Sequence, residues 1–323
     1  MSKPKVLISR RWPASVEAKL ERLYDVRLNI ADKPLSADEF KYALQNYDAV
    51  CPTVCDSLPA EVLQVPNKRC RILGNFGVGY NHIDIETARS EGLVVSNTPG
   101  VLTESTADIA MTLLLMSARR GAEGDRLVRA NHWHGWCPTH MMSSDVTGAT
   151  LGLIGFGRIA QAMARKAHHG FGMKILYTKP TPADPAIVAD LKAESCASIE
   201  ELLKRSDYIS LHCPGGAATR HLINAERLKL MKPTAHLINT ARGDVVDSQA
   251  LINALSNRQI AGAGLDVYEG EPDIHPGFKE LENITLLPHL GSATIATRTA
   301  MGEKVLENLE AFFAGQELPD RVI

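Results

Sequence analysis

The stretch LGLIGFGRIAQAMA, residues 151–164, decides how the chain is to be read. Four residues of strand character, Leu151–Ile154, run into Gly155-Phe156-Gly157-Arg158-Ile159-Ala160, and a helical pattern over Ile159–Ala167 follows. Strand, glycine turn and helix in that order make the G-x-G-x-x-A loop of a dinucleotide-binding βαβ unit. Gly155 permits the tight turn, and Gly157 lets the backbone approach a pyrophosphate lying on the helix N-terminus. Ala160 takes the small position where helix packs on strand. Gly155, Phe156, Gly157, Arg158 and Ile159 are therefore candidate cofactor-binding residues.

The end of the next strand chooses between dinucleotides. An NAD site calls for an acid about 20 residues after the first glycine, to accept hydrogen bonds from the ribose 2′-hydroxyl. The chain has ILYTKPT at 175–181, with no acid before Asp184. Lys179 and Thr181, with Arg158 in the turn, suit a 2′-phosphate instead. NADP(H) is the expected cofactor, with NAD(H) as the alternative.

Outward from this loop, short apolar runs alternate with helical patterns. The second half predicts strands at Leu151–Ile154, Lys174–Tyr177, Tyr208–His212, His236–Asn239, Gly264–Val267 and Ile284–Leu287. The first third predicts strands at Val6–Ser9, Asp25–Leu28, Ala49–Val54, Arg71–Gly74 and Leu93–Ser96. Amphipathic stretches such as Ser15–Leu23, Ala37–Gln45, Ile199–Lys204, Ala225–Leu230 and Ser248–Leu255 fill the gaps. Such alternation means α/β architecture: two doubly wound parallel sheets covered by helices on both faces. A long helix capped at Thr103 and running through MTLLLMSARR separates the two series, and a last helix spans about Thr294 to Ala314.

The bulk numbers agree with two ordinary globular domains: 323 residues, 45% apolar and 22% charged. Lys plus Arg is 35 and Asp plus Glu 37, a net charge of −2, which lacks the basic excess of a nucleic-acid binder. The most apolar run, Ile109–Ala118, falls well short of the ~20 residues a membrane span needs. The N-terminal MSKPKVLISR shows no signal-peptide core. Six cysteines without framework spacing read as reduced thiols, and a cytoplasmic protein is expected. Cys51 with Cys55, and the cluster HWHGWCPTH at 132–140, carry zinc-binding residue types but no zinc-site spacing, so no metal is expected.

Three segments at the ends of late strands carry chemistry: Asn239-Thr240-Ala241-Arg242-Gly243-Asp244, the stretch GLDVYEGEP at 264–272, and PHLGSAT at 288–294. In an open parallel sheet the ligand crevice lies outside the carboxyl ends of the strands, where all three can converge. They offer a guanidinium, a carboxylate and an imidazole, a set that fits hydride transfer on a 2-keto or 2-hydroxy acid. The guanidinium of Arg242 can fork onto a carboxylate and polarise the adjacent carbonyl. The imidazole of His289 can donate the proton the carbonyl oxygen takes up, and a neighbouring carboxylate such as Glu271 orients the ring. Each residue also has a bland explanation, as an ion pair, a surface acid and a loop histidine respectively.

Over nearly its whole length the chain resembles the D-isomer-specific 2-hydroxyacid dehydrogenase family. The matching motifs are LGLIGFGRIAQAMA, LMKPTAHLINTARGDVVD at 230–247, and GLDVYEGEP followed by PHLGSAT. The resemblance implies that Arg242, Glu271 and His289 are the catalytic three and that Asp266 orients a nicotinamide. It places Thr106, His212, Pro214, Thr219, Thr240, Ala241 and Gly291 in the cofactor site. The loop NFGVGYN at 75–81 would bring the N–H groups of Val78 and Gly79 to the substrate carboxylate, with Ser292 and, less directly, Arg298 lining the same pocket.

The fold implied is a flavodoxin-like substrate domain, residues 1–100 plus 291–323, and a Rossmann coenzyme domain, residues 101–290, with hinges near Gly100 and His289–Ser292. SARR at 117–120 and HWHGW at 132–136 are most similar to the glyoxylate/hydroxypyruvate reductase and glycerate dehydrogenase branch. That branch implies a homodimer built on residues 103–148, with Trp136 or Trp133 closing over the partner's substrate. The expected reaction is NADPH-dependent reduction of small 2-keto acids. A dehydrogenase of a bulkier 2-keto acid, a formate, phosphite or phosphoglycerate dehydrogenase, and a nucleotide-sensing regulator of the same fold are the alternatives.

Overall fold

Alternating strands and amphipathic helices form two parallel sheets of five and seven strands. The computed structural model describes residues 3–323 and divides into two units, one running to Leu102 and including Ala293–Ile323, the other Thr103–Ser292.

The first unit runs β1 (Lys5–Ile8), α1 (Ala14–Leu23), β2 (Asp25–Arg27), α2 (Ala37–Asn46), β3 (Ala49–Cys51), α3 (Ala60–Leu63), β4 (Ile72–Gly74), α4 (Ile85–Ser90) and β5 (Val94–Ser96). Its strand order, β2-β1-β3-β4-β5, is that of flavodoxin-like sheets. One face packs Leu7, Val50 and Leu73 against Phe40, Leu44 and Leu63. The other packs Val6, Ile8 and Ile72 against Val305 and Leu309 of the C-terminal helix, Ile295–Phe313. The third strand stops at Cys51 and does not reach Val54, because Pro52 has no N–H for the ladder.

The second unit continues with α5 (Thr103–Ala118), α6 (Gly121–Arg129), β6 (Thr150–Ile154), α7 (Arg158–Phe171), β7 (Lys174–Thr178), α8 (Pro185–Asp190), β8 (Glu194–Ser195), α9 (Ile199–Arg205), β9 (Tyr208–Leu211), α10 (Ala225–Leu228), β10 (His236–Asn239), α11 (Ser248–Ser256), β11 (Gly262–Leu265) and β12 (Ile284–Leu286). The order β12-β11-β10-β9-β6-β7-β8 is the Rossmann order with one strand added. The chain reverses its direction of travel across the sheet between β6 and β9, which lie side by side with Leu151 opposite Tyr208. A crevice opens at the carboxyl ends of such a pair, and the first residues beyond these two strands are Gly155 and His212.

Helix α5 begins at Thr103 as a helical residue, not as a cap, and it ends at Ala118. It does not run through Arg120, which takes a left-handed φ of 54° and pairs with Glu123. Ala107, Ala110, Leu113 and Leu114 form its fully buried face. This helix explains the early start of β11, at Gly262 rather than Gly264. A Cβ on Gly264 would lie 2.9 Å from Leu113 Cβ, and one on Gly262 2.9 Å from Ser117 Oγ. Glycines under a closely laid helix hide the β-branched signal by which a strand is recognised. The two-residue β8 is also too short to register as an apolar run.

Among the described residues no disulfide joins the cysteines. Among the described residues no helix is long and apolar enough to cross a membrane.

The tightest helix–sheet contact here makes a stability prediction. A Cβ on Gly152 of β6 would lie 2.2 Å from Ser206 Oγ and 2.6 Å from Leu202 Cδ2. Gly152→Ala forces α9 off the sheet and should cost about 1–3 kcal/mol, the usual penalty of overpacking. Urea unfolding of the variant should show a lower midpoint; an unchanged midpoint would mean that α9 yields without cost.

Candidate active site

The glycine turn after β6 is shaped by a near collision. Gly155 takes a φ of +89°, and a Cβ there would stand 2.8 Å from the backbone carbonyl of His212, at the end of β9. No side chain fits at that point. The Gly155 N–H donates to the Thr178 carbonyl at 3.0 Å, which ties the turn to the end of β7. Gly157 then caps the 14-residue helix α7 without any side-chain hydrogen bond, and a Cβ there would meet nothing within 4 Å. The first N–H groups of α7 thus open onto free space at the positive end of a helix dipole, which suits a pyrophosphate.

Other features fit a bound dinucleotide. The Thr240 hydroxyl, one residue beyond β10, is buried without a hydrogen-bond partner among the described residues. Lys179 and Thr181 are exposed on the loop that follows β7, beside the glycine turn, and Arg158 is exposed at the start of α7. The nearest acid, Asp184, accepts from the Ala186 N–H at 2.9 Å and so caps α8.

Some expected contacts take a different form. The Phe156 ring is buried, stacked on Tyr177 at 4.2 Å, so only its main chain is available to a ligand. The His212 imidazole bonds Ser210 Oγ at 2.9 Å, and burial lowers its pKa to about 4. It meets the glycine turn through its backbone. Thr219 Oγ1 donates to the Pro214 carbonyl at 2.7 Å and braces their shared loop.

The carboxyl ends of β10, β11 and β12 carry the candidate reactive side chains. After β12, His289 stands at a left-handed φ of 54°, uncommon for a residue with a side chain. Asp266, just past β11, holds it there. The Asp266 carbonyl accepts from the His289 N–H at 3.0 Å, while its carboxylate accepts from the N–H groups of Leu290 at 2.6 Å and Gly291 at 2.8 Å. Burial pushes the Asp266 carboxyl upward, against the pull of those two donors and of His289. Gly291 is clasped from the other side by Thr106 Oγ1, which donates to its carbonyl at 3.1 Å.

Glu271 receives the imidazole. Its Oε2 lies 2.8 Å from His289 Nδ1, and its Oε1 accepts from the Tyr268 N–H at 2.8 Å. Burial opposes ionisation of Glu271, but the His289 hydrogen bond and field, the Tyr268 N–H and Arg242 together keep its carboxyl below the ordinary value. With Nδ1 committed to Glu271, Nε2 is the nitrogen left to act on a substrate.

Arg242 lies beyond β10, in the field of both Glu271 and Asp244. Burial lowers its pKa while those two acids raise it. Its Nη1 donates to the Ala241 carbonyl at 2.6 Å, and a Cβ on Gly215 would stand 2.8 Å from its Cγ. A guanidinium held against a glycine loop and an imidazole held by a carboxylate, both at strand ends of one sheet, can bind an acid and protonate an oxygen.

Two supporting residues were not singled out by the sequence patterns. Asn239, buried at the end of β10, accepts from the Ala241 N–H at 2.9 Å and donates to the Arg242 carbonyl at 2.8 Å. An Asn closing a strand two residues before a turn N–H is a legible signal of such a loop. Tyr268 donates its hydroxyl to the carbonyls of Leu265 and Leu287, at 3.1 and 2.8 Å, and so bridges the ends of β11 and β12. No local pattern marks that bridge.

Ser292 follows Gly291, half-buried. Trp136 is 81% exposed and Trp133 54%, on the irregular stretch after α6. Val78 and Gly79 belong to the first unit, half-buried in the loop after β4, and Arg298 lies on the C-terminal helix.

Comparison with known proteins shows what the chain is similar to. Residues 111–291 match the family model described as D-isomer specific 2-hydroxyacid dehydrogenase, NAD binding domain. The chain is 44% identical to a glyoxylate reductase of Thermococcus onnurineus, over 99% of this chain and 96% of that protein. It is 35% identical to a glycerate dehydrogenase of Hyphomicrobium methylovorum, over 98% of each. Among solved structures, an NADPH-dependent glyoxylate/hydroxypyruvate reductase of Sinorhizobium meliloti, in complex with NADP and malonate, superposes with a TM-score of 0.87 at 33% identity, covering 99% of this chain and 97% of that one. With that family match and that identity over nearly its whole length, the chain belongs to the D-isomer-specific 2-hydroxyacid dehydrogenase family.

Proposed function

We propose that the protein is an NADPH-preferring reductase of small 2-keto acids, converting glyoxylate to glycolate and hydroxypyruvate to D-glycerate. The observation that carries this reading is the 2.8 Å pair of His289 Nδ1 with Glu271, in whose field the half-buried Arg242 guanidinium lies. The relatives named glyoxylate reductase and glycerate dehydrogenase support the substrate class.

When bound, the nicotinamide supplies a hydride to the substrate's carbonyl carbon. The residues of this chain do the rest. The open N-terminus of α7 and the Thr240 hydroxyl hold the dinucleotide. Arg242 pairs with the substrate carboxylate and polarises the adjacent carbonyl. His289 delivers a proton from Nε2 to the carbonyl oxygen as the carbon is reduced, leaving a 2-hydroxy acid. Glu271, ionised at neutral pH, orients the ring and balances the charge of its protonated form.

The NADPH preference rests on the loop after β7, where Lys179 and Thr181 stand exposed and the first acid is used as a helix cap. The exposed Trp133, Trp136 and Met142 supply the surface for a second copy of the chain. The protein then works as a homodimer in the cytoplasm, with Trp136 reaching the partner's substrate.

The direct test is NADPH and NADH oxidation with glyoxylate, hydroxypyruvate and pyruvate in parallel. Fast NADPH consumption with the first two is the expected result. Tight NADPH binding without turnover of any of the three would displace the reading in favour of a bulkier substrate or a nucleotide sensor. Arg242→Ala should lower kcat/KM by about 10²–10³-fold, the usual loss when a charged group that stabilises the transition state is removed. Near-normal turnover would take Arg242 out of the site. Lys179→Asp should move the NADPH/NADH preference about 10–100-fold toward NADH, the worth of one charge-assisted contact to phosphate. An unchanged ratio would remove Lys179 from the cofactor site.

A further inference from the structure

Glu269 stands two residues before Glu271 on the loop after β11, and the reaction derived above gives it no part. Its carboxylate is nevertheless fully engaged. Oε1 lies 2.8 Å from His221 Nε2, and since a carboxylate can only accept, that ring nitrogen carries the proton. Oε2 accepts from the Ser248 hydroxyl at 2.8 Å and from the Ser248 N–H at 3.3 Å, and Arg220 Nη2 comes within 3.7 Å of Oε1. Burial opposes ionisation of Glu269, but His221 and the two Ser248 donors outweigh it and hold the carboxyl below its ordinary value.

The three partners belong to three different strand ends of the second unit. His221 follows β9, Ser248 opens α11 after β10, and Glu269 follows β11. Backbone bonds lace the first two together. The His221 N–H donates to the Asp244 carbonyl at 2.7 Å, the Ile223 N–H to the Val245 carbonyl at 2.9 Å, and the Asp247 N–H back to the Ile223 carbonyl at 2.9 Å. Residues Gly243–Val245 form a 3-10 turn that starts directly after Arg242. The third strand end presses on that turn, since a Cβ on Gly243 would lie 1.8 Å from the Tyr268 carbonyl carbon. The Glu269 carboxylate bonds across this seam, to Ser248 on one side and His221 on the other.

His221 itself takes a left-handed φ of 48°. A residue with a side chain persists there when its surroundings over-determine it, here the Asp244 carbonyl on its N–H and Glu269 on its ring. From this arrangement we infer that Glu269 and His221 are positioning residues, a clamp that joins the three strand-end loops and so fixes Arg242 and Glu271 relative to each other. The inference rests on the 2-keto acid reading above and deepens it by naming what sets the geometry of its reactive groups. Arg242 lies one residue before the clamped turn. Glu271 is linked to Glu269 through Gly270 alone, whose φ of 75° suits glycine and whose backbone adds no stiffness of its own. The direction of Glu271, and with it that of His289, therefore depends on what holds Glu269.

Misplacing reacting groups by about 1 Å costs on the order of 10²-fold in rate. Glu269→Ala should accordingly lower kcat for glyoxylate about 10–100-fold. The NADPH Kd should not move, because the glycine turn and Thr240 lie outside the clamp. Glu269→Gln keeps an acceptor for His221 and a donor for the Ser248 hydroxyl, and it should recover about 5–10-fold of the loss, the worth of one retained hydrogen bond. A residue that only adds stability would lower the melting temperature and leave kcat per folded enzyme unchanged. That result, a parallel loss of NADPH affinity, or a glutamine variant no faster than the alanine one would each overturn the clamp.

Should Glu269→Ala fail to fold, His221→Asn carries the kinetic test, because asparagine tolerates the left-handed backbone but is too short to reach Glu269. It should lower kcat about 5–10-fold, and an unchanged kcat would overturn the inference. Amide hydrogen exchange of the full-length protein, followed by NMR, separates the clamp from the activity reading. In His221→Asn the Tyr268 and Ser248 amides, which donate to Glu271 and Glu269, should exchange about 10-fold faster, while the Gly155 amide should not change. Faster exchange at those two amides, in a protein whose wild type reduces no 2-keto acid, would keep the clamp and remove the activity. Wild-type turnover, with exchange and kcat both unaltered in the variant, would remove the clamp and keep the activity.

Discussion

A single buried carboxylate holds the candidate site of the second unit together. Asp266 closes β11, accepts from the N–H groups of Leu290 and Gly291, and offers its own carbonyl to His289. Three donors from consecutive residues converge on one side chain and its carbonyl, and the left-handed backbone of His289 persists because they over-determine it. Remove that anchor and the imidazole loses its direction. With it in place, His289 Nδ1 lies on Glu271, and Glu271 is fixed by the Tyr268 N–H one turn away. The protonation pattern follows from the same packing: burial pushes Asp266 up, while Glu271, also opposed by burial, is held below the ordinary value by its neighbours.

The parallel sheet supplies the frame for these contacts. Because β6, β9, β10, β11 and β12 all run the same way, the glycine turn, His212, Thr240, Arg242, Asp266 and His289 all follow strand ends on one edge. The cost is crowding, and glycine relieves it. Gly155 admits the backbone of His212, and Gly243 admits the Tyr268 carbonyl, whose carbon would otherwise lie 1.8 Å from a Cβ. Gly262 and Gly264 admit α5 beneath the sheet. In this unit the glycines mark where chain segments touch, and those touching points are what bring separate motifs to one place.

Much of this was legible in the residues. The strand–glycine–helix stretch at 151–164, the alternation of apolar runs, and the Arg, Glu and His at three strand ends all carry local signals. Chain punctuation was readable where its cause is local, as with the Ser36–Glu39 capping box that opens α2. It failed where the cause lies elsewhere. The early start of β11 depends on α5 lying over it, and the end of α5 depends on the left-handed Arg120 and its pair with Glu123. Phe156 and His212 were expected in the cofactor site, yet their rings turn into the interior, a choice made by Tyr177 and Ser210.

By itself, then, the sequence determined the class of architecture and the strand–glycine–helix turn, and it marked three candidate reactive groups, because propensity, periodicity and side-chain chemistry act over a few neighbouring residues. Strand order, the Asp266 anchor, the Tyr268 bridge and the unpartnered Thr240 hydroxyl were decided only by the tertiary structure. Each of these joins groups distant in the chain, or depends on what surrounds a buried atom. Hydrogen bonds and excluded volume of that kind have no footprint in local pattern, and they exist only once the sheets have formed.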